Sequence, residues 1–151
     1  MTRMFRLALA QMNPTVGDIK GNTAKIMQYL EQARESRADL VAFPELAITG
    51  YPPEDLLFKT SFLRDNVAAM EQVVAASQGI AVVVGYVKMG ADISNAAALG
   101  YDGKLIDVIG DGQMGTRDGD FKTARFDLPA DLHQRALDLL LFLAVQQTDC
   151  R

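Results

Sequence analysis

The sequence predicts an α/β fold, and three stretches carry that prediction. Asp39 to Phe43 is a short apolar run with the length and flanks of a buried strand. Ile80 to Val87 is apolar on both faces, as a sheet covered on both sides requires. A segment with helical spacing separates the first strand-like run from Asp39, so the chain opens β-loop-α-β, a parallel crossover unit.

Phe5 to Met12 reads as the first strand, with Leu7 and Leu9 on one face and Ala8 and Ala10 on the other. Small residues on a face let a second layer approach closely. Asn13 to Asp18 is a turn cluster. A helix is expected to begin at Asn22 or Thr23, either of which can cap its orphan amides. Ile26, Leu30 and Ala33 recur at helical spacing and face inward, while Glu31, Gln32, Arg34 and Glu35 make the wet face.

Ser61 is the expected cap of a second helix, whose inner stripe is Leu63, Val67, Met70 and Val74, with Gly79 as its stop. Gly85, inside the strand that follows, permits close backbone approach for packing or for a ligand. Ser94 to Tyr101 forms the next strand. Asp102-Gly103 is a two-residue hairpin signal, and Lys104 to Ile109 returns antiparallel.

With 151 residues the chain is one domain or part of one, and 49% hydrophobic content is enough for a core. Fifteen Lys and Arg against 19 Asp and Glu give a net charge of −4 with no basic run, which argues against a nucleic-acid surface. Cys150 is the one cysteine, so an internal disulfide is excluded and a reducing compartment fits. No apolar stretch reaches the ~20 residues of a membrane span, and no signal-peptide pattern opens the chain. The expected location is the cytoplasm.

Pro44 ends the second strand because it gives a ladder no donor, and Glu45 follows at once. An acid at the carboxyl end of a buried parallel strand stands where open α/β folds place their sites. Partial burial there would raise its pKa and suit it to take a proton from a nucleophile. The alternative for Glu45 is a solvated loop carboxylate.

The run Phe43-Pro44-Glu45-Leu46 through Thr49-Gly50-Tyr51-Pro52-Pro53-Glu54-Asp55-Leu56-Leu57 resembles the catalytic-glutamate segment of the nitrilase-like carbon–nitrogen hydrolases. Within that family it is similar to the amino-terminal glutaminase domain of glutamine-dependent NAD synthetases. Gln11-Met12-Asn13-Pro14, Val16-Gly17-Asp18 with Gly21-Asn22 after it, Asn95-Ala96-Ala97-Ala98 and Asp102-Gly103-Lys104-Leu105 also resemble the family. The resemblance implies part of a four-layer α-β-β-α sandwich. Two facing sheets would then explain Ala8, Ala10, Ala97 and Ala98. It also implies Glu45 as general base, Tyr51 at the lip of the same loop beside bound glutamine, and acyl transfer through a cysteine thioester.

The resemblance covers residues 1–108, read as the first half of a glutaminase domain, and stops near Ile109. Residues 109–151 are read as a divergent tail. The family pattern calls next for a lysine loop, but Gly110 to Asp120 is Gly- and Asp-rich and holds no lysine. Asp111, Asp118 and Asp120 are oxygen donors whose spacing does not fit an EF-hand, so a flexible acidic loop is expected. Lys104 belongs to the hairpin, and Lys122 alternates as a solvated strand residue. His133 has no His, Cys or Ser with it and reads as a surface or cap residue.

The family's nucleophile is a strand-end cysteine followed by acidic residues. Cys150 follows a helix, one residue before the end of the chain, without that setting. It is not expected to be the nucleophile, since a frayed terminus offers no fixed neighbours to activate a thiol. Truncation, a shifted reading frame and true divergence would all look like this tail.

Two readings follow. By resemblance the chain is a glutamine amidohydrolase that supplies ammonia for making NAD from deamido-NAD, with the triad's Lys and Cys missing. Its glutaminase chemistry would take no cofactor and no metal. ATP and deamido-NAD would belong to a synthetase domain absent from this chain, and that domain and glutamine would be its partners. The alternative is a non-catalytic fragment or partner-binding module. The helix expected over 132–147 is apolar nearly all round and would drive self-association.

Overall fold

A computed structural model describes residues 4–110. They form a five-stranded sheet in sequential order: β1 (Leu7–Leu9), β2 (Leu40–Ala42), β3 (Ala81–Lys88), β4 (Ser94–Tyr101) and β5 (Lys104–Gly110). α1 (Ile19–Glu35) joins β1 to β2, and α2 (Thr60–Ala75) joins β2 to β3. The first three strands are parallel, and β4 and β5 are antiparallel additions. Crossovers of one hand that step in one direction put their helices on one face of the sheet. The main core bears this out. Ile26, Leu30 and Ala33 of α1 and Met70, Val73 and Val74 of α2 pack with Val41, Val82 and Val84 of the sheet.

The expected strands are found, with shifted bounds at the first. β1 is shorter than Phe5 to Met12, because β2 offers partners only from Leu40 to Ala42, plus one bond from Ala10 N–H to the Ala42 carbonyl at 2.9 Å. The hairpin sits at Asp102 and Gly103, both at positive φ (49° and 77°), as a tight two-residue turn needs.

Several cap assignments change. α1 starts ahead of Asn22. Its cap is Asp18, whose carboxylate accepts from Gly21 N–H at 2.9 Å. α2 starts at Thr60, with Lys59 as N-cap and Ser61 already inside the helix. Gly79 (φ 70°) lies in the turn beyond the C-cap Ala76. Arg34 is only half exposed. Its guanidinium pairs with Glu31 and donates to the carbonyls of Ala76 at 2.7 Å and Gln78 at 3.3 Å, closing the end of α2.

The small residues also serve a different contact from the one expected. Ala8, Ala10 and Ala98 belong to the helix-facing core, where α1 and α2 press on the sheet. Ala97 alone of the four lies on the other face, with Leu40, Ala42, Ala81, Val83 and Leu99. Among the described residues there is one sheet and one helical layer, the β and α of half a sandwich. The tail features named from sequence (Asp111, Asp118, Asp120, Lys122, His133, the 132–147 helix and Cys150) lie outside the described residues.

Candidate active site at the carboxyl end of β2

β2 leaves the sheet at Pro44, and the departure is built into three neighbouring segments. Along the β2 side of β3, alternate residues must find partners for their N–H and C=O groups. Phe43 N–H reaches the Val83 carbonyl at 2.9 Å, and Ile48 N–H reaches that of Gly85 at 3.4 Å. At Val87 no backbone remains to pair. The Asn66 side chain of α2 takes its place, donating to the Val87 carbonyl at 2.6 Å and accepting its N–H at 3.1 Å. Asn66 thus completes the edge that β2 abandons, and it is fully buried.

The departing loop folds back over the sheet at Gly85. A Cβ there would lie 2.6 Å from both the Pro44 carbonyl oxygen and the Leu46 nitrogen, so only glycine lets the loop lie this low. This decides the question left by the sequence: the close approach at Gly85 is made by the chain's own backbone. Leu46 follows Glu45 at φ 48°, a left-handed conformation costly for a branched side chain. Its side chain is buried with Leu63 and Val87, which offsets that cost.

The far side of the loop is tied to the amino-terminal turn. Gly17 N–H donates to the Thr49 carbonyl at 2.9 Å. Asn22, read from sequence as a cap, is instead a fully buried cross-link. Its amide donates to the carbonyls of Ile48 at 2.9 Å and Thr15 at 2.8 Å, and its oxygen accepts Thr15 N–H at 2.8 Å. Gly50, at φ 75°, passes so close to Val16 that a Cβ would lie 2.7 Å from its backbone.

Glu45 rises from this pinned loop with an exposed side chain. Of the two environments the sequence left open, the side chain has the solvated one: the loop beneath Glu45 is buried, and the carboxylate stands above it. Its Oε1 accepts a hydrogen bond from Nδ2 of Asn95, on β4 opposite Val87. Tyr51 is 70% exposed and follows the loop, ahead of a cis peptide to Pro52. Among the described residues its hydroxyl makes no hydrogen bond, and no group of acidic, Cys or His side chains is arranged to hold a metal. Lys104 begins β5 beside Tyr101, at the end of the sheet where β3 starts, away from Glu45.

Residues 6–112 match the carbon-nitrogen hydrolase family. The chain belongs to that family. A glutamine-dependent NAD(+) synthetase of Thermotoga maritima is 40% identical over 108 residues, covering 70% of this chain and 19% of the relative. The solved glutamine-dependent NAD+ synthetase of Acinetobacter baumannii superposes with a TM-score of 0.61 at 36% identity, over 70% of this chain and 20% of that one. The synthetase of Cytophaga hutchinsonii gives a TM-score of 0.67 at 24% identity, over 70% of this chain and 18% of that one, a likeness of fold. The chain thus spans about a fifth of the length of the relatives it matches. This carbon-nitrogen hydrolase chain resembles the glutaminase domain of NAD synthetases, as the Phe43 to Leu57 stretch implies. Among its described residues no helix is long and apolar enough to cross a membrane.

Asn22, Asn66 and Asn95 were not singled out as site residues in the sequence. Each works through a partner far along the chain, at separations of 26, 21 and 50 residues for Ile48, Val87 and Glu45. Asn22 and Asn95 lay in stretches that carried the family resemblance, and Asn66 did not.

Proposed function

We propose that Glu45 is the general base of a glutamine amidohydrolase site and that this chain carries the base without its lysine and cysteine partners. The observation that supports the first half is the placement of Glu45, on a pinned loop at the end of a parallel strand in a carbon-nitrogen hydrolase fold. A base must be held in register with the group it deprotonates, and a buried loop floor does that. Its exposure leaves it reachable by substrate. Tyr51, at the lip, is the residue assigned to the bound glutamine.

The second half rests on the residues after Ile109, which bring no lysine in the expected loop and no cysteine in a strand-end context. Acyl transfer to sulfur needs a thiolate, a base and an oxyanion donor acting together. Removing one member of such a unit costs several orders of magnitude, and removing a second adds little. On this reading the glutaminase step takes no cofactor, while ATP and deamido-NAD belong to a synthetase domain that would use the ammonia. The setting is cytoplasmic.

Glutamine hydrolysis by the 151-residue chain is the direct test, and no family-like rate is expected. Any slow turnover that Glu45→Gln leaves unchanged removes Glu45 from the role. Iodoacetamide should label Cys150 slowly and without regard to glutamine. Rapid labelling, protected by glutamine and lost in Glu45→Ala, would restore Cys150 as nucleophile.

A further inference from the structure

We infer that Asn95 is the positioning residue for Glu45, and that it assigns the two carboxylate oxygens different tasks: Oε1 is held, and Oε2 is the oxygen that takes the proton. The inference rests on Glu45 being the base. An exposed glutamate on a rigid loop still has three side-chain torsions, and each unrestrained torsion spreads the carboxylate over several positions. The loop fixes the Glu45 backbone and nothing beyond it. Asn95 supplies the remaining restraint through its Nδ2 donor to Oε1.

The amide can face only one way in this contact. Presenting Oδ1 to a carboxylate would set acceptor against acceptor, so the donor end must point at Glu45. The neutral amide also holds the carboxylate without setting a counter-charge beside it. Asn95 is itself anchored on β4, paired in register with Val87, and the backbone groups of Val87 are completed by Asn66. Two pairs along the same ladder Gly85 faces Ala97, and Gly85 is the residue over which the Glu45 loop lies. The same short piece of ladder therefore sets the height of the loop and the direction of its acid. A hydrogen bond accepted at Oε1 ties that oxygen toward β4 and leaves both lone pairs of Oε2 free, so Oε2 is the better placed to meet a thiol or water proton.

The test is side-chain NMR on the full 151-residue chain labelled with 15N and 13C at pH 7. One Asn95 Hδ2 proton should resonate downfield of the unbonded side-chain amides and lose that shift in Glu45→Ala. Conversely, Asn95→Ala should collapse the Glu45 methylene signals to the averaged values of a free glutamate. Asn95→Asp, which replaces the donor by a second acceptor, should do the same. Backbone amide signals of β3 and β4 should stay in place in all three variants, which separates positioning from a folding role. Asn95 amide signals identical in the parent and Glu45→Ala, or Glu45 signals already averaged in the parent, overturn the inference. Turnover indifferent to Glu45→Gln would strike the function reading instead, and it would leave these resonances as they are.

Discussion

Residues 44–50 and residues 51–58 are consecutive, and the fold treats them in opposite ways. Leu46 to Gly50 are all buried and bound from three sides by Gly85, Asn22 and Gly17. After Gly50 the chain surfaces, apart from the buried Pro53 and from Leu57, which packs against the cluster of Leu46, Leu63 and Val87. Tyr51 is 70% exposed and Phe58 is 86% exposed, and the short 3-10 helix Glu54–Phe58 between them has no buried residue. A proton-transfer group loses rate when its position wanders, whereas a lip that admits and releases substrate must be free to adjust. On the roles proposed for Glu45 and Tyr51, the division falls where those two needs part, between the loop that carries the one and the segment that carries the other.

The largest effect should come from cutting the deepest tie. Asn22→Ala removes three hydrogen bonds and leaves the buried Ile48 carbonyl and the Thr15 N–H without the partner they have here, while the Thr15 carbonyl keeps the Asp18 N–H at 3.2 Å. A cost of about 3 kcal/mol in unfolding free energy is expected, from the desolvation of unpaired polar groups. Urea denaturation of the two chains measures it. A loss below about 0.5 kcal/mol, the range of surface changes, would mean the 44–50 loop is held without Asn22.

Gly85→Ala attacks the same loop from beneath. The new methyl would lie 2.6 Å from two backbone atoms of residues 44 and 46, so the loop must lift. Overpacking of this kind costs about 1–3 kcal/mol. The lift also carries Glu45 away from Asn95, so the Asn95 side-chain amide signal should move along with the loss of stability. Destabilisation without that movement would show the strand yielding instead of the loop.

These two residues show what the sequence reveals and what it hides. Gly85 was legible as a point of close approach, because a glycine in an otherwise solid apolar strand leaves room for something to come close, though not whether that is backbone or ligand. The strands and both helical stripes were legible for the same kind of reason: they are periodic, and burial imposes the period. Asn22 was misread as a cap because asparagine before a helical stripe has the local signature of one. Its partners at Thr15 and Ile48 are set by how two loops meet, which no local pattern encodes. Asp18 took the cap instead, reaching Gly21. The Glu45 position was legible from the strand and the proline after it. Its exposure was not, since that depends on a loop being drawn down over Gly85 while the side chain stays above.

A third effect separates the helix-facing side of β3 from the loop side. Tyr86 follows Gly85 and points into the helix-packed core, where burial raises the pKa of its hydroxyl. The folded chain then holds that proton more tightly than the unfolded chain. Its contribution to stability is whole below the ordinary tyrosine value of about 10 and is lost as pH rises through the raised folded value. Tyr86→Phe should flatten the fall in stability above that pH. Thermal unfolding across the alkaline range checks it, and an unchanged slope would place the titration elsewhere.

The smallest effect is expected at the surfaced end of the comparison. Phe58 is a large apolar side chain, and were it packed its replacement by serine would cost as much as a core truncation. Its 86% exposure argues otherwise, because burial free energy scales with the area actually taken from water, and very little is taken here. It closes the 3-10 helix through backbone geometry, with Lys59 N–H donating to the Leu56 carbonyl at 3.0 Å, a bond that serine at 58 leaves intact. Phe58→Ser should therefore change unfolding free energy by less than about 0.5 kcal/mol. The Asn95 amide signal should stay where it is, since nothing in the 44–50 loop leans on Phe58. A loss of about 3 kcal/mol or more, that of truncating a buried phenylalanine, would show that Phe58 is packed in solution and that the division at Gly50 is not real.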